Sequence, residues 1–267
     1  MGPGHPAPIG DAVPFDVASD PIPSVTGTRL GLIVGSAVAD GTGAEPHHEV
    51  RVDTRYGPAR LFDTGDLVVA HRHHATPDGY VLPHVLDHHR TIAGLCAAGC
   101  DRVLALASVG SLRGWPVGTV VSPFDFFAPG ISPTFHTDGA GHQVPGFDEG
   151  WRDAVLAVWE AHASSDLLDG GVYAQTVGPR FETPAEVRAL ARDADIVGMT
   201  IASECILARE AGLAYTVVCM VDNAANGADD VALTVEDLQR NVAANRVQLL
   251  ADVEAVLPHL VATPLAR

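Results

Sequence analysis

From residue 29 onward the chain alternates between two hydrophobic patterns. Short apolar runs rich in β-branched residues predict strands buried on both faces, and longer segments between them have the amphipathic spacing of helices. The predicted strands cover residues 30–34, 67–70, 103–107, 119–121, 171–175, 195–198 and 215–221. The predicted helices cover residues 83–98, 147–164, 184–194, 202–211 and 234–257. Helices between buried strands favour crossover connections, so we predict a single α/β domain with a mixed, mainly parallel central sheet flanked by helices.

Two segments depart from this pattern. Residues 1–28 are rich in proline and have no periodicity, which predicts a flexible N-terminal arm before a domain that spans residues 29–267. Residues 124–146 contain proline, glycine and histidine and no predicted element. Loops of this length in a compact domain are usually functional or mobile.

The composition excludes several classes of function. The 267 residues include 16 Lys+Arg and 33 Asp+Glu, so the formal net charge is −17 at pH 7. An acidic surface repels a phosphate backbone or an anionic membrane, so we expect neither nucleic acid nor a membrane as a partner. The chain contains no apolar run long enough to span a membrane and no visible secretory signal. Its four cysteines lie in apolar segments without metal-ligand spacing, which predicts reduced thiols in a cytoplasmic protein.

Small and polar residues follow four of the predicted strands, at Gly35-Ser36, residues 108–111, residues 198–200 and Asp222-Asn223. Ligands gather at such strand ends in a parallel sheet. Hydroxyls and free backbone N–H groups form an anion site there without a lysine, and the helix that begins after Thr200 adds the positive end of its dipole. The pattern indicates a small phosphorylated or phosphate-using substrate.

A specific combination of motifs lies between residues 172 and 227: V-Y-A-Q-T-V-G-P-R-F-E-T-P-A-E, then D-I-V-G-M-T, then E-C-I-L-A-R-E-A-G, then V-D-N-A-A-N-G. This combination resembles the trimeric purine nucleoside phosphorylase and methylthioadenosine phosphorylase family. Weaker similarity at residues 32–36, 83–88 and 109–113 extends the resemblance over residues 30–257. The resemblance implies a nucleoside phosphorylase fold, a homotrimer, a role in purine salvage and phosphorolysis. In that reaction phosphate attacks C1′ of a nucleoside, with no metal or organic cofactor.

The resemblance also implies roles for individual residues. The residues implied for phosphate are Ser36, Arg72, His73, Ser108 and Thr200. Met199 would lie under the ribose and Phe181 would stack on the base. Phe135 and His142, in the long loop, would reach the substrate of a neighbouring subunit.

Two residues decide which purine would bind. A 6-oxopurine presents N1–H as a donor and O6 as an acceptor, which a carboxylate and an amide match. The resemblance places Glu182 and Asn223 at these positions, with Asn223 supporting protonation of N7. A one-residue shift would put Asp222 there instead, and Glu182 also has the spacing of a carboxylate at a helix N-terminus.

The 5′ end of the substrate is a third question. Related phosphorylases place a histidine twelve residues beyond the asparagine, where this chain has Val235, with Leu238 one turn later. These residues offer no hydrogen bond, and a buried hydroxyl without a partner costs about 1–3 kcal/mol. We therefore expect a 5′-modified 6-oxopurine nucleoside such as 5′-methylthioinosine. A methylthioadenosine phosphorylase or a general inosine/guanosine phosphorylase remains the alternative.

The segment from His71 to Thr91 departs from the family pattern. It contains an apparent two-residue insertion, and His89 stands where an arginine often helps to bind phosphate. The phosphate site is therefore altered, weakened or built with Arg90, and a nucleosidase or a nucleoside-binding protein is a further alternative. Glu204 is expected to satisfy the start of its helix.

Overall fold

The strand at Cys100–Ser111 is the centre of the fold, because eleven of its twelve residues are buried. We analysed a computed structural model, which describes residues 23–25, 27–35, 48–74, 79–228 and 234–265, without the side chains of residues 235 and 237. Within these ranges one mixed sheet of eleven strands is flanked by five α-helices. The predicted fold class is confirmed.

The strands are β1 (Arg29–Val34), β2 (His48–Val52), β3 (Ala59–Asp63), β4 (Leu67–His71), β5 (Cys100–Ser111), β6 (Val120–Ser122), β7 (Asp125–Phe127), β8 (Leu167–Asp169), β9 (Val172–Gln175), β10 (Ile196–Gly198) and β11 (Ala214–Ala224). The helices are α1 (His88–Ala97), α2 (Glu149–His162), α3 (Pro184–Leu190), α4 (Ile201–Ala211) and α5 (Val235–Ala262).

The sheet branches at β5. The strand order along one path is β2-β3-β4-β1-β5-β10-β9-β7. On the opposite edge of β5, β11 pairs with β5, β6 pairs with β11, and β8 pairs with β6. The neighbours β4, β1, β5 and β11 are parallel, whereas β10 runs antiparallel to β5. Along one edge of β5, β1 pairs as far as Leu106 and β10 pairs only with Gly110 and Ser111. The ends of β1 and β10 therefore point towards each other across a short gap.

The two faces of β5 belong to separate cores. Val103 and Ala105 pack in the core that contains residues of α1 and α4. Leu104 and Leu106, which point the other way in an alternating strand, pack with residues of α2 and α5. This arrangement explains why the sequence of β5 reads as a continuous apolar run rather than an alternating one.

Helix boundaries follow local capping chemistry. Asp148 accepts from the backbone N–H of Trp151 at the start of α2. Thr183 and Glu186 form a reciprocal capping box at the start of α3. Gly212 ends α4 in the left-handed region, with φ of +74°, which favours glycine.

Three sequence predictions differ from the observed elements. The helix predicted over residues 83–98 begins only at His88, because a 3₁₀ turn at Pro83–Val85 precedes it and Asp87 caps it. The β2–β3 hairpin was not predicted, since β2 is largely exposed. The loop predicted over residues 124–146 contains β7 and a 3₁₀ turn at Gly139–Gly141. Most of the arm predicted over residues 1–28 lies outside the described residues.

All four cysteines are buried free thiols. Burial raises the pKa of Cys96 and Cys100 to about 12. No helix within the described ranges has the length and apolar character needed to cross a membrane.

Candidate active site

A cavity opens where β1 and β10 end along the edge of β5. Its walls include residues 107–110 of β5 and the end of β10 with the first turn after it. The 3₁₀ turn after β4, the turn before α3 and the start of α5 complete the walls. Nine of the residues singled out in the sequence line this cavity: Arg72, His73, Ser108, Phe181, Glu182, Met199, Thr200, Asn223 and Leu238.

The backbone of β5 runs along the cavity and separates its two ends. Arg72 Nη1 donates to the carbonyl of Leu106 at 2.9 Å, Ser108 follows two residues later, and Gly110 packs against the amide of Asn223. At about 3.3 Å per residue, Leu106 and Gly110 are about 13 Å apart. The arginine and the asparagine therefore lie at opposite ends of the cavity, with Ser108 between them.

At the Arg72 end, the guanidinium forms a buried ion pair with Glu204. Nε and Nη2 donate to the two carboxylate oxygens at 2.5 and 3.0 Å. Burial acts to raise the pKa of Glu204, but the charge and hydrogen bonds of Arg72 outweigh it and lower the pKa to about 2. The pair therefore stays charged at neutral pH, and it holds the cation of Arg72 at this end of the cavity.

Gly35 passes very close to this guanidinium. A Cβ atom at Gly35 would lie 2.5 Å from Nη1 of Arg72 and 3.1 Å from the carbonyl of Leu106. The end of β1 therefore needs glycine at this position for the backbone to approach Arg72.

At the opposite end, Glu182 and Asn223 line the wall together. The hydroxyl of Thr176 donates to Oε1 of Glu182 at 2.5 Å, and Asn226 donates to the carbonyl of Glu182 at 2.9 Å. The Nδ2 of Asn223 donates to the carbonyl of Ala224 at 2.7 Å, which leaves its Oδ1 as the acceptor. A carboxylate and an amide oxygen thus belong to the wall at this end of the cavity.

A β-bulge separates Asp222 from Asn223. The β11 register against β5 shifts between Val221 and Asn223, so that Asn223 pairs with Gly110. Asn223 lines the cavity, whereas the fully buried Asp222 is held by Asn245, which donates to Oδ1 at 2.8 Å. Bulges beside functional sites commonly re-aim side chains in this way. The bulge thus directs the two adjacent side chains to different surroundings.

Buried side chains occupy three backbone donors at the start of α4. The hydroxyl of Tyr173 accepts from the backbone N–H groups of Thr200 and Ile201 at 3.2 and 3.4 Å, and the side-chain amide oxygen of Gln175 accepts from the backbone N–H of Ser203 at 3.0 Å. These three N–H groups, which the sequence indicated as free donors, therefore already have partners. Thr200 itself still lines the cavity.

Two predicted site residues, which the sequence placed at the substrate of a neighbouring subunit, do not line the cavity of their own chain. Phe135 is buried against Tyr56 and the ring of His89, so it packs within its own chain rather than in the cavity. His142 is exposed and does not line the cavity. Ser36 lies outside the described residues, as does the side chain of Val235.

The side chains of the histidine-rich segment contact different parts of the structure. His71 packs edge-on against Phe62, and His73 stacks on Tyr80 with ring centroids 4.6 Å apart. His88 approaches Glu204, with Nδ1 3.7 Å from Oε1. His89 Nε2 lies 3.1 Å from the carbonyl of Thr134, away from the cavity. Within the described ranges, no three His, Cys, Asp or Glu side chains are grouped to hold a metal ion.

Several neighbours of the site were not found from the sequence. Tyr173, Gln175 and Thr176 belong to the quoted motif, but their contacts depend on how β9 and β10 pair. Glu204 was expected to satisfy its own helix start, and instead it binds an arginine 132 residues earlier. A carboxylate among the mostly apolar residues of the first two turns of α4 was the available signal, because such a group needs a cationic partner when it is buried.

Comparisons with known proteins agree with the observed fold. Residues 29–258 match the phosphorylase superfamily. A probable 6-oxopurine nucleoside phosphorylase of Archaeoglobus fulgidus is 33% identical over 231 residues, which cover 84% of this chain and 94% of the relative. A probable S-methyl-5′-thioinosine phosphorylase of Methanosarcina acetivorans is 33% identical over 236 residues, covering 83% and 90%. The methylthioadenosine phosphorylase of Schistosoma mansoni, solved with adenine, has the same fold, with a TM-score of 0.74, 22% identity and coverage of 88% and 93%.

His73 is expected to stay neutral down to about pH 4. Burial and the nearby charge of Arg72 lower its pKa to about 4, and its Nδ1 lies 2.8 Å from the carbonyl of Val81. The unfolded state takes up this proton near pH 6.5 and the folded state does not, so the free energy of unfolding decreases between pH 6.5 and pH 4. The expected decrease from this group is about 3 kcal/mol.

NMR titration of the imidazole and urea unfolding across this pH range would check this prediction. His73→Gln should reduce the pH dependence of the free energy of unfolding, and the exposed His142→Gln should leave it unchanged. An imidazole of His73 that titrates between pH 6 and 7 would contradict the prediction.

Proposed function

The chain belongs to the phosphorylase superfamily, and we propose that it catalyses the phosphorolysis of a purine nucleoside, as a pentosyltransferase in purine salvage. The preferred substrate is a 5′-modified 6-oxopurine nucleoside such as 5′-methylthioinosine. The products are the free purine and the 5-modified ribose 1-phosphate. The observation that carries the proposal is one cavity with a cation and hydroxyls at one end and a carboxylate and an amide at the other.

At the phosphate end, Arg72 and the hydroxyl of Thr200 supply hydrogen-bond donors for inorganic phosphate, and Ser108, which forms a hydrogen bond with Asp222, lines the same cavity. A phosphate oxygen forms a bond to C1′ while the bond from C1′ to the purine nitrogen breaks. The electron pair of that bond goes to the purine. Because the transition state resembles a ribosyl cation, a phosphate dianion held beside C1′ stabilises it. The residues need no metal or organic cofactor for this reaction.

At the base end, Glu182 accepts from N1–H of a 6-oxopurine. The Oδ1 of Asn223 accepts from N7 as the leaving base is protonated there. The hydrogen bond from Thr176 supports the orientation of Glu182. Adenine has no hydrogen on N1, so it leaves this carboxylate without a donor. The names of two relatives, which refer to 6-oxopurine and methylthioinosine substrates, support the same preference.

Apolar side chains support a 5′ substituent without a hydrogen-bonding group. Leu82, Pro83 and Leu238 line the cavity. A 5′-hydroxyl buried against these side chains would lose its hydrogen bonds to water, whereas a methylthio group would gain apolar contacts.

A phosphate-independent nucleosidase is the second candidate. One observation favours it: side chains of Tyr173 and Gln175 already occupy backbone N–H groups at the start of α4. If phosphate binds too weakly as a result, water is the remaining nucleophile.

Purine release from 5′-methylthioinosine is the first test. We expect hypoxanthine to appear only with inorganic phosphate, together with a sugar 1-phosphate. We expect kcat/KM for inosine to be about tenfold lower, because its 5′-hydroxyl is left unpaired. Sulfate in place of phosphate is the control. Equal rates with and without phosphate would favour the nucleosidase, and an equal kcat/KM for inosine would contradict the apolar 5′ pocket.

Substitution Asn223→Asp tests the base end. An aspartate accepts from the 6-amino group of adenine, so the ratio of kcat/KM for methylthioadenosine to that for methylthioinosine should rise about tenfold or more. Asn241→Asp is a matched control, because Asn241 binds the carbonyl of Asp222 from α5 without lining the cavity. An unchanged ratio in Asn223→Asp would remove Asn223 from this role.

A homotrimer is the assembly that we propose. Exposed apolar side chains beside the cavity support it: Tyr80 is 51% exposed, Leu82 45% and Val85 60%. Such a patch on a single chain commonly marks a protein interface. We place the trimer in the cytoplasm, since the four cysteines are buried free thiols.

Light scattering tests the assembly. We expect a mass of three times 27.8 kDa. Val85→Asp should weaken the trimer, whereas Val247→Asp, at a 74% exposed position of α5, should not. A wild-type protein with the mass of one chain would contradict the proposal.

A further inference from the structure

The buried ion pair at the Arg72 end is part of a larger network. Glu204 accepts two hydrogen bonds from Arg72, and the hydroxyl of Tyr215 donates to its Oε2 at 2.7 Å. His88 approaches the same carboxylate from α1, with Nδ1 3.7 Å from Oε1. The side chains of Arg72 and Glu204 are 3% and 1% exposed, so water does not share in these contacts. Four separate parts of the chain thus meet at one carboxylate.

The network uses only part of the arginine. A guanidinium has five N–H donors, one on Nε and two on each terminal nitrogen. Three of them are used by Glu204 and by the carbonyl of Leu106. One donor each on Nη1 and Nη2 therefore remains for an anion in the cavity that Arg72 lines. Glu204 fixes the plane of the guanidinium and hence the direction of these two donors.

Tyr215 completes the arrangement from β11. Its ring is buried and lies parallel to Phe147, with centroids 6.3 Å apart, so the hydroxyl has a fixed position. Burial and the charge of Glu204 raise the pKa of Tyr215 well above its usual value, which keeps the hydroxyl a donor. By donating to Oε2, it shares the carboxylate with Nη2 of Arg72 and limits how strongly that carboxylate holds the guanidinium.

We propose that Glu204 and Tyr215 are positioning residues that orient Arg72 towards phosphate, an inference that rests on the proposed phosphorolysis. Neither residue lines the cavity, so each acts through Arg72. The network explains how the altered segment after β4 keeps a usable cation. Arg90, the alternative considered from the sequence, lies 3.9 Å from Asp87 and does not line the cavity.

The principal test is Tyr215→Phe, which removes only the hydroxyl and keeps the stacked ring. We expect KM for phosphate to rise about tenfold, because Glu204 then holds the guanidinium of Arg72 more strongly and changes its orientation towards the cavity. KM for the nucleoside should stay within about twofold, because the base and sugar contacts are unchanged. Glu204→Gln should raise KM for phosphate further, by about a hundredfold, since Nε and Nη2 of Arg72 lose the two carboxylate oxygens that fix the plane of the guanidinium.

A matched control separates positioning from stability. Asp101→Asn weakens another buried ion pair, with Arg102, far from the cavity. It should lower the melting temperature without changing the ratio of the two KM values. If Tyr215→Phe leaves KM for phosphate unchanged, or raises both KM values equally, the proposal is overturned. This comparison stands even if Glu204→Gln fails to fold.

Calorimetric titration with inorganic phosphate distinguishes this proposal from the proposed function. The positioning role is supported if the wild-type protein binds phosphate and Tyr215→Phe binds it about tenfold more weakly. This holds even if the nucleoside is cleaved without phosphate, a result that would overturn phosphorolysis alone. Phosphate-dependent cleavage with equal phosphate affinity in both proteins would overturn the positioning role alone. A wild-type protein that neither binds phosphate nor responds to it overturns both.

Discussion

The unequal length of neighbouring strands is the constraint on which the site depends. β5 has twelve residues, whereas β1 pairs with it only as far as Leu106 and β10 begins to pair only at Gly110. Backbone N–H and C=O groups on the intervening edge need partners, since an unpaired buried group is costly. Within the described parts of the chain no strand covers that edge, and the cavity forms there. Because β10 runs antiparallel to β5, it brings Met199 and Thr200 back towards Arg72. If β10 ran parallel to β5, Met199 and Thr200 would lie farther from Arg72.

Much of this arrangement could be predicted from the sequence, because the patterns that indicate it are local in the chain. The buried strands read as apolar runs, and the motif around Glu182 and Met199 is short enough to be recognised by spacing alone. The β2 strand of the hairpin could not be predicted in the same way, since its largely exposed side chains form no apolar run. The boundary of α1 was also misplaced, because amphipathic spacing continues through Pro83 although the backbone does not remain helical.

Other features depended on contacts that spacing does not encode. Asp222 and Asn223 are adjacent, and only the bulge in β11 separates the side chain that faces α5 from the one that lines the cavity. The dipole of α4 suggested an anion site, but the hydroxyl of Tyr173 reaches the backbone N–H groups of Thr200 and Ile201 first. An aromatic residue in a buried strand gives no hint of this role until the pairing of β9 with β10 is known.

The network around Glu204 joins parts of the chain that are distant in sequence. Arg72 follows β4, Glu204 lies 132 residues later in α4, and Tyr215 belongs to β11. Contacts of such long sequence separation form only after the intervening chain has closed its loops. The network around Glu204 therefore exists only once β11, α4 and the turn after β4 have come together. A nascent chain that has not yet emerged as far as β11 lacks this network, and neither half of the protein contains it by itself.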